Sequence, residues 1–172
     1  ITYNHEQFIK EAIYGVLLQE FDGEIEFIIA DDNSPDNTKK IVEECILKNT
    51  KKNIKINYTK HKKNKGMMPN FMWALKESKG KYIALCEGDD YWTDSLKLQK
   101  QVDFLEKNND VVLCYHDCKI VNDSSEIIAD SKLDPSNIKQ YDYTSGELKK
   151  GPLIPTLAIM FRNTSRAMPE YL

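Results

Sequence analysis

Asp89 and Asp90 follow directly on an apolar run, Tyr82-Ile83-Ala84-Leu85, and are followed by Tyr91 and Trp92. Like charges held that close repel and raise one another's pKa. A divalent cation removes the conflict. Hard ions such as Mg²⁺ or Mn²⁺ favour one or two carboxylates completed by phosphate oxygens. The pattern points to a metal site for a diphosphate, with a nucleotide-sugar as its natural ligand. The plainer alternative is an acidic turn that caps a helix starting near Asp94.

A second acidic pair, Asp31-Asp32, ends another apolar run, Glu26 to Ala30, and opens a turn cluster, Asn33-Ser34-Pro35-Asp36-Asn37. Short, continuously apolar runs suit strands covered on both faces. Helical spacing occupies Glu6–Gln19, Thr38–Leu47, Pro69–Ser78 and Asp94–Lys107, the last with Leu96, Leu98, Val102 and Leu105 as its expected stripe. Further strands are expected at Ile54–Tyr58, Lys81–Cys86, Asp110–Cys118 and Leu153–Phe161, with a polar hairpin or loop over Asn122–Ser131. Alternation of this kind predicts an α/β fold, a mixed and mostly parallel sheet flanked by helices. Ligands in such sheets lie outside the carboxyl ends of the strands. Both acidic pairs follow such ends, which places them on one rim.

The chain has 172 residues, 30% of them charged, and a net charge of −3. That balance gives no general attraction to nucleic acid or anionic lipid. Lys60-His61-Lys62-Lys63-Asn64-Lys65 is the local exception, a loop able to face phosphates or simply water. No apolar run reaches the length of a membrane span. Cys45, Cys86, Cys114 and Cys118 fit no zinc spacing, and reduced thiols point to a cytosolic compartment.

Taken together, Ile1-Thr2-Tyr3-Asn4 before a helix, Asp31-Asp32-Asn33-Ser34, Asn64-Lys65-Gly66 and Glu87-Gly88-Asp89-Asp90-Tyr91-Trp92 resemble family 2 of the glycosyltransferases. The resemblance implies a GT-A type, Rossmann-like fold, with a donor-binding part over residues 1–121 and a partial acceptor-side region over 122–172. It also implies a chain lacking the start of the first strand and the end of the acceptor region. Under it Tyr3 stacks on the nucleotide base, with Thr2 and Asn4 beside it, and Asp32 accepts the imide N–H of uracil. Asp31 caps its turn. Lys65, Gly66 and Asn70 line the base or phosphate side. Asp89 contacts the ribose or shares the metal, and Asp90 ligates Mn²⁺ or Mg²⁺. Glu87 stands behind them or is exposed.

The resemblance further implies transfer of a sugar from a UDP-sugar or other NDP-sugar, with inversion, to a glycan or lipid-linked acceptor. The usual setting is bacterial polysaccharide assembly, cytoplasmic or at the inner membrane face, with peripheral membrane association. The carboxylate base of such enzymes is expected past the Pro155–Arg162 run, beyond Leu172. Within the chain Asp117 is the candidate, Glu170 being only the one carboxylate after that run, and binding of donor without efficient transfer is the expectation. Two other readings are a non-catalytic nucleotide-sugar-binding module and a sugar nucleotidyltransferase. The second requires a glycine-rich loop after the first strand, where Tyr3-Asn4-His5-Glu6-Gln7 has no glycine.

Overall fold

A computed structural model of the chain describes residues 1–133, 144, 146 and 154–163. Helix α1 spans Ile9–Leu17 and turns Ile9, Ala12, Ile13 and Val16 inward. Strand β1, Ile25–Asp31, pairs in parallel with β2, Ile54–Lys60, in a register that runs from Ile25 opposite Ile54 to Asp31 opposite Lys60. Helix α2, Thr38–Lys48, makes the crossover between them. Val42 and Cys45 of α2 join Ile9, Ala12 and Ile13 of α1 over Ile29 of β1 as one core cluster. This is the βαβ unit that the alternating pattern predicts.

Helix α3, Met67–Glu77, leads into β3, Tyr82–Ala84, and helix α4, Lys97–Lys107, into β4, Leu113–Cys114. A short hairpin follows, β5 at Ile120–Val121 against β6 at Ile127–Ala129. The last described strand is β7, Met160–Arg162, preceded by a 3₁₀ turn at Thr156–Ala158. It enters antiparallel between β3 and β4, making a three-stranded antiparallel sheet beside the parallel β1–β2 pair. Arg162 fixes that central strand. Its guanidinium donates to the carbonyls of Val111 and Asn108 and to the Tyr82 hydroxyl.

Three expectations shift, the first being the Asp110–Cys118 strand, which contracts to Leu113–Cys114. The Leu153–Phe161 run is a turn and a three-residue strand in its described part, because Pro155 interrupts it. Leu96 lies before α4 and is 41% exposed, so it leaves the expected stripe. Lys97 and Gln101 take inward positions instead, beside Leu98 and Leu105. The Lys97 ammonium rests 4.0 Å above the Trp92 ring and donates to Gln101 Oε1 at 2.8 Å. Burial pushes that ammonium down to about 8. Trp92 is itself core, its Nε1 donating to the Leu157 carbonyl at 3.0 Å. Gly15 of α1 permits that packing, since a Cβ there would meet the Trp92 backbone nitrogen at 2.7 Å.

Candidate functional site

The two acidic turns meet on the first two residues of the chain. Thr2 N–H donates to the Ala30 carbonyl and the Thr2 carbonyl accepts from Asp32 N–H, both at 2.9 Å. The Ile1 carbonyl accepts from Gly88 N–H, also at 2.9 Å. Gly88 has no room for a side chain: a Cβ would meet Thr2 Oγ1 at 2.6 Å and His5 Nδ1 at 2.7 Å. The turn after β1 and the turn after β3 are therefore locked to one short segment on one rim, as the strand order predicts.

The turn after β1 is completed by its own chain. Asp31 is fully buried and accepts from Ser34 N–H and Tyr58 Oη–H, each at 2.7 Å. Burial first, and the bond to Asp31 with it, push the Tyr58 hydroxyl well above its ordinary range. Asp32 is 3% exposed and receives Lys65 N–H at 2.7 Å on Oδ1 and Gly66 N–H at 2.8 Å on Oδ2. Gly66 has φ +90°, a conformation that favours glycine. Asn4 and Asn33 adopt φ 60° and 65° on the same rim, and Asn4 N–H donates to Ser34 Oγ. Tyr3 is exposed, its ring free to take a planar partner.

Asn70 occupies a different place from the one its position implied. It is 1% exposed, with Oδ1 on His61 Nε2 and Nδ2 donating to the Ala30 carbonyl, each at 3.0 Å. It is a strut tying α3 to β1 rather than a side chain open to the pocket. Thr2 is also buried, and its Oγ1 has no partner beside Gly88. Lys65 is exposed, with its ammonium 5.9 Å from the Trp73 ring centre.

The turn after β3 is left incomplete. Glu87 Oε2 is buried without a hydrogen-bond partner. Burial, then the Asp90 charge, raise the Glu87 carboxyl above the usual range. Burial, then the Asp89 charge, do the same to Asp90. Asp89 is half exposed, with His5 Nε2 3.9 Å from its Oδ2. The helix-cap alternative is answered by Asp94, whose Oδ1 receives Leu96 N–H at 2.9 Å ahead of α4. Asp89 and Asp90 are thus free of that duty. Among the described residues no three acidic, His or Cys groups form a ready-made metal cage. The set fits an ion that takes one or two carboxylates here and its remaining oxygens from a phosphate.

Asp117, the expected candidate for the base, is held by protein donors. Burial acts to raise its carboxyl, but hydrogen bonds from Ser131 Oγ–H and from the Leu133, Cys118 and Lys132 N–H groups hold it below the usual range. It clamps residues 131–133, which follow the hairpin, and that clamp brings the positive charge of Lys132 toward Asp90. Glu170 lies outside the described residues. Two participants escaped the sequence reading. His5 sits next to Tyr3-Asn4, which was the available signal. Lys132 carries no local signal, because only the hairpin fold returns it to this rim.

Fold and rim define an α/β domain of the GT-A type, built to hold a ligand at its strand ends. The profile of Glycosyl transferase family 2 matches residues 1–165, and the chain belongs to that family. It is 35% identical over 162 residues to the Mycobacterium tuberculosis protein Rv1520, covering 94% of this chain and 45% of that one. It is 32% identical over 124 residues to the Escherichia coli UDP-Glc:alpha-D-GlcNAc-diphosphoundecaprenol beta-1,3-glucosyltransferase WfgD, covering 72% of this chain and 46% of that one. Among solved structures, Staphylococcus aureus TarS 1–349 in complex with UDP superposes with a TM-score of 0.55 at 28% identity, covering 66% of this chain and 32% of that one. The chain spans about half the length of the curated relatives it matches. No helix among the described residues is long and apolar enough to cross a membrane. All four cysteines are free thiols.

Proposed function

We propose that this chain is the donor-binding part of a metal-assisted, inverting glycosyltransferase that takes a UDP-sugar. The observation that supports the reading is the joining of both acidic turns to Ile1–Thr2 on one rim. Tyr3 stacks on the uracil face. Asp32, fixed by Lys65 and Gly66, keeps lone pairs for the imide N–H. Asp89 holds the ribose side, and Asp89 and Asp90 hold a Mn²⁺ or Mg²⁺ ion. When bound, that ion supplies Lewis-acid stabilisation of the charge that grows on the departing diphosphate. Lys65, on the flanking loop, adds positive charge to the phosphates. Asp117 acts as a loop clamp, and the base is not assigned to it.

A glycan or a lipid-linked acceptor is the proposed partner, in line with the diphosphoundecaprenol named for the WfgD acceptor. Work on the cytosolic side, near the inner membrane face and in polysaccharide assembly, is part of the same proposal. A donor-binding module without turnover of its own is the second reading, favoured by the protein donors that already occupy the Asp117 carboxylate.

Isothermal calorimetry with UDP tests the donor assignment. Binding strengthened at least about tenfold by Mn²⁺ supports it, a difference of ~1.4 kcal/mol. Equal affinity with and without metal overturns the metal role. Transfer of label from a UDP-sugar to acceptor separates the enzyme from the module.

A further inference from the structure

A third turn joins the acidic rim, after β4. Strands β3 and β4 both pair antiparallel with β7, so they run parallel to each other. Ala84 and Cys114 stand opposite the same residue, Met160. That sets them level, two strand spacings or about 10 Å apart. The chain leaves β4 toward His116 and Asp117 on the rim where it leaves β3 toward Asp89 and Asp90. The turn after β1 is tied to the same rim through Thr2, which bonds to Ala30 and Asp32. Across the rim the order is therefore Asp32, then Asp89 and Asp90, then Asp117.

Asp117 builds its turn around the chain that returns from the hairpin. Its Oδ1 accepts from Cys118 N–H at 2.7 Å, Leu133 N–H at 3.0 Å and Lys132 N–H at 3.1 Å, and its Oδ2 accepts from the Ser131 hydroxyl. Lys132 N–H also donates to the Cys118 carbonyl at 2.9 Å. The β5–β6 hairpin is thus closed at its base. Lys132 sits at that base and not at the tip, where loops move most. The nearby Asp130 is already engaged by the Lys119 ammonium at 3.1 Å. Among the described residues the Lys132 ammonium has no ion pair and no hydrogen bond. Burial raises the Asp90 carboxyl, the Asp89 charge adds to that, and the Lys132 charge acts against both. The backbone of this lysine is fixed while its cation stays available beside the acidic turn.

On the reading of this rim as a nucleotide-sugar site, we propose that Lys132 binds the phosphate farther from the base, with Asp117 as the residue that positions it. That reading puts the base at the Asp32 end, and the diphosphate then runs over Asp89 and Asp90 toward the β4 side. The outer phosphate is the part that reaches Lys132. Charge explains why a cation is needed there. Glu87, Asp89 and Asp90 present carboxylates to a ligand that is itself an anion. A divalent ion held by Asp89 and Asp90 offsets part of that repulsion, and the ammonium offsets more of it from the side opposite Lys65. Lysine suits the place, because a compact charge on a flexible stem follows phosphate oxygens without needing a planar fork.

The test is calorimetry with UDP and with UMP, each in the presence of Mn²⁺, on the full chain and its Lys132→Ala form. UDP affinity should fall about tenfold and UMP affinity less than about twofold. Lys132→Arg keeps a cation at the site and should hold UDP affinity within about threefold of wild type. Asp117→Ala frees the loop and should reproduce the loss for UDP while sparing UMP. A lysine with a purely structural role would lower both nucleotides together, and that result overturns the proposal. An arginine form as weak as the alanine form overturns it as well. Unchanged UDP affinity in a folded Asp117→Ala chain removes Asp117 from the positioning role. If wild type binds no UDP, the donor reading falls and this proposal with it. If wild type binds UDP and Lys132→Ala binds it equally well, this proposal alone falls.

Discussion

The two acidic turns differ in how far their own chain completes them. After β1, all four carboxylate oxygens of Asp31 and Asp32 receive protein donors at 2.7–2.8 Å. After β3, one Glu87 oxygen is buried with no donor, and burial and neighbouring charge raise both Glu87 and Asp90. Two Asp-Asp pairs that look alike in sequence thus have opposite electrostatics. Carboxylates already bonded to N–H groups build a loop and hold it still. Carboxylates gathered without donors favour whatever brings positive charge. The first turn is completed by its own chain's donors, and in the second, burial and neighbouring charge favour protonation or a nearby cation.

The largest effect expected from that contrast is on stability. Asp31→Ala leaves the buried Ser34 N–H unpaired and removes the partner of the half-buried Tyr58 hydroxyl, a loss of about 2–4 kcal/mol. Asp90→Ala relieves repulsion and should leave urea-denaturation stability equal or slightly higher. Equal losses in the two variants would break the comparison. Next in size is the ligand effect. Asp90→Ala should abolish the roughly tenfold or greater Mn²⁺ enhancement of UDP binding while leaving metal-free binding nearly unchanged. Retention of the enhancement would remove Asp90 from the metal site.

The same contrast explains what was legible in the sequence. Helices α1 and α2 and the β1–β2 ladder were readable because their apolar spacing matches their burial. The shared rim was readable because it follows from strand direction. The start of α4 was not, because Lys97 and Gln101 are buried by tertiary contacts, with Trp92 and the Ala158 carbonyl, that no period reports. The antiparallel entry of β7 depends on pairing with strands far away in sequence. Which carboxylates are satisfied was equally hidden. The donors to Asp32 come from residues 65 and 66, and the donors to Asp117 come partly from 131–133. Asn70 was misplaced for the same reason, its partners being His61 and Ala30.

Lys97 sharpens the comparison from beneath. It is a buried cation, yet its ammonium donates to Gln101 rather than to a carboxylate. Its pKa falls from 10.5 to about 8 on folding, because burial disfavours the charged form. Between those values the unfolded chain holds more protons at this site than the folded one, so its contribution to stability rises with pH. The buried thiols act the other way: burial raises Cys86 to about 12, so folding favours its protonated form and loses that advantage as pH climbs. The difference between wild type and Lys97→Met isolates the lysine. Wild type should gain about 1–2 kcal/mol on the variant from pH 8 to pH 10 in urea titrations. A constant difference would mean that Lys97 titrates normally and is more solvated than its burial implies.

The smallest effect expected, and the most discriminating for the donor, concerns Asp32. Both its oxygens already bind the Lys65–Gly66 backbone, and each retains a second lone pair. Asp32→Asn replaces one oxygen with an NH₂ group, which faces either Lys65 N–H or Gly66 N–H and cannot accept from it. Some loop loosening is therefore unavoidable, and it weakens any nucleotide that leans on the loop. Uracil offers an imide N–H to this carboxylate. Adenine carries no ring N–H on that edge, so ADP binding does not depend on the contact in the same way. If Asp32 reads the base, UDP affinity should fall about fivefold more than ADP affinity, ~1 kcal/mol of selectivity. If Asp32 only anchors the loop, the two affinities fall together and their ratio stays fixed. Calorimetry with both nucleotides on wild type and variant gives the ratio directly, and an unchanged ratio would make the turn after β1 pure scaffold, with base selection left to Tyr3 and its neighbours.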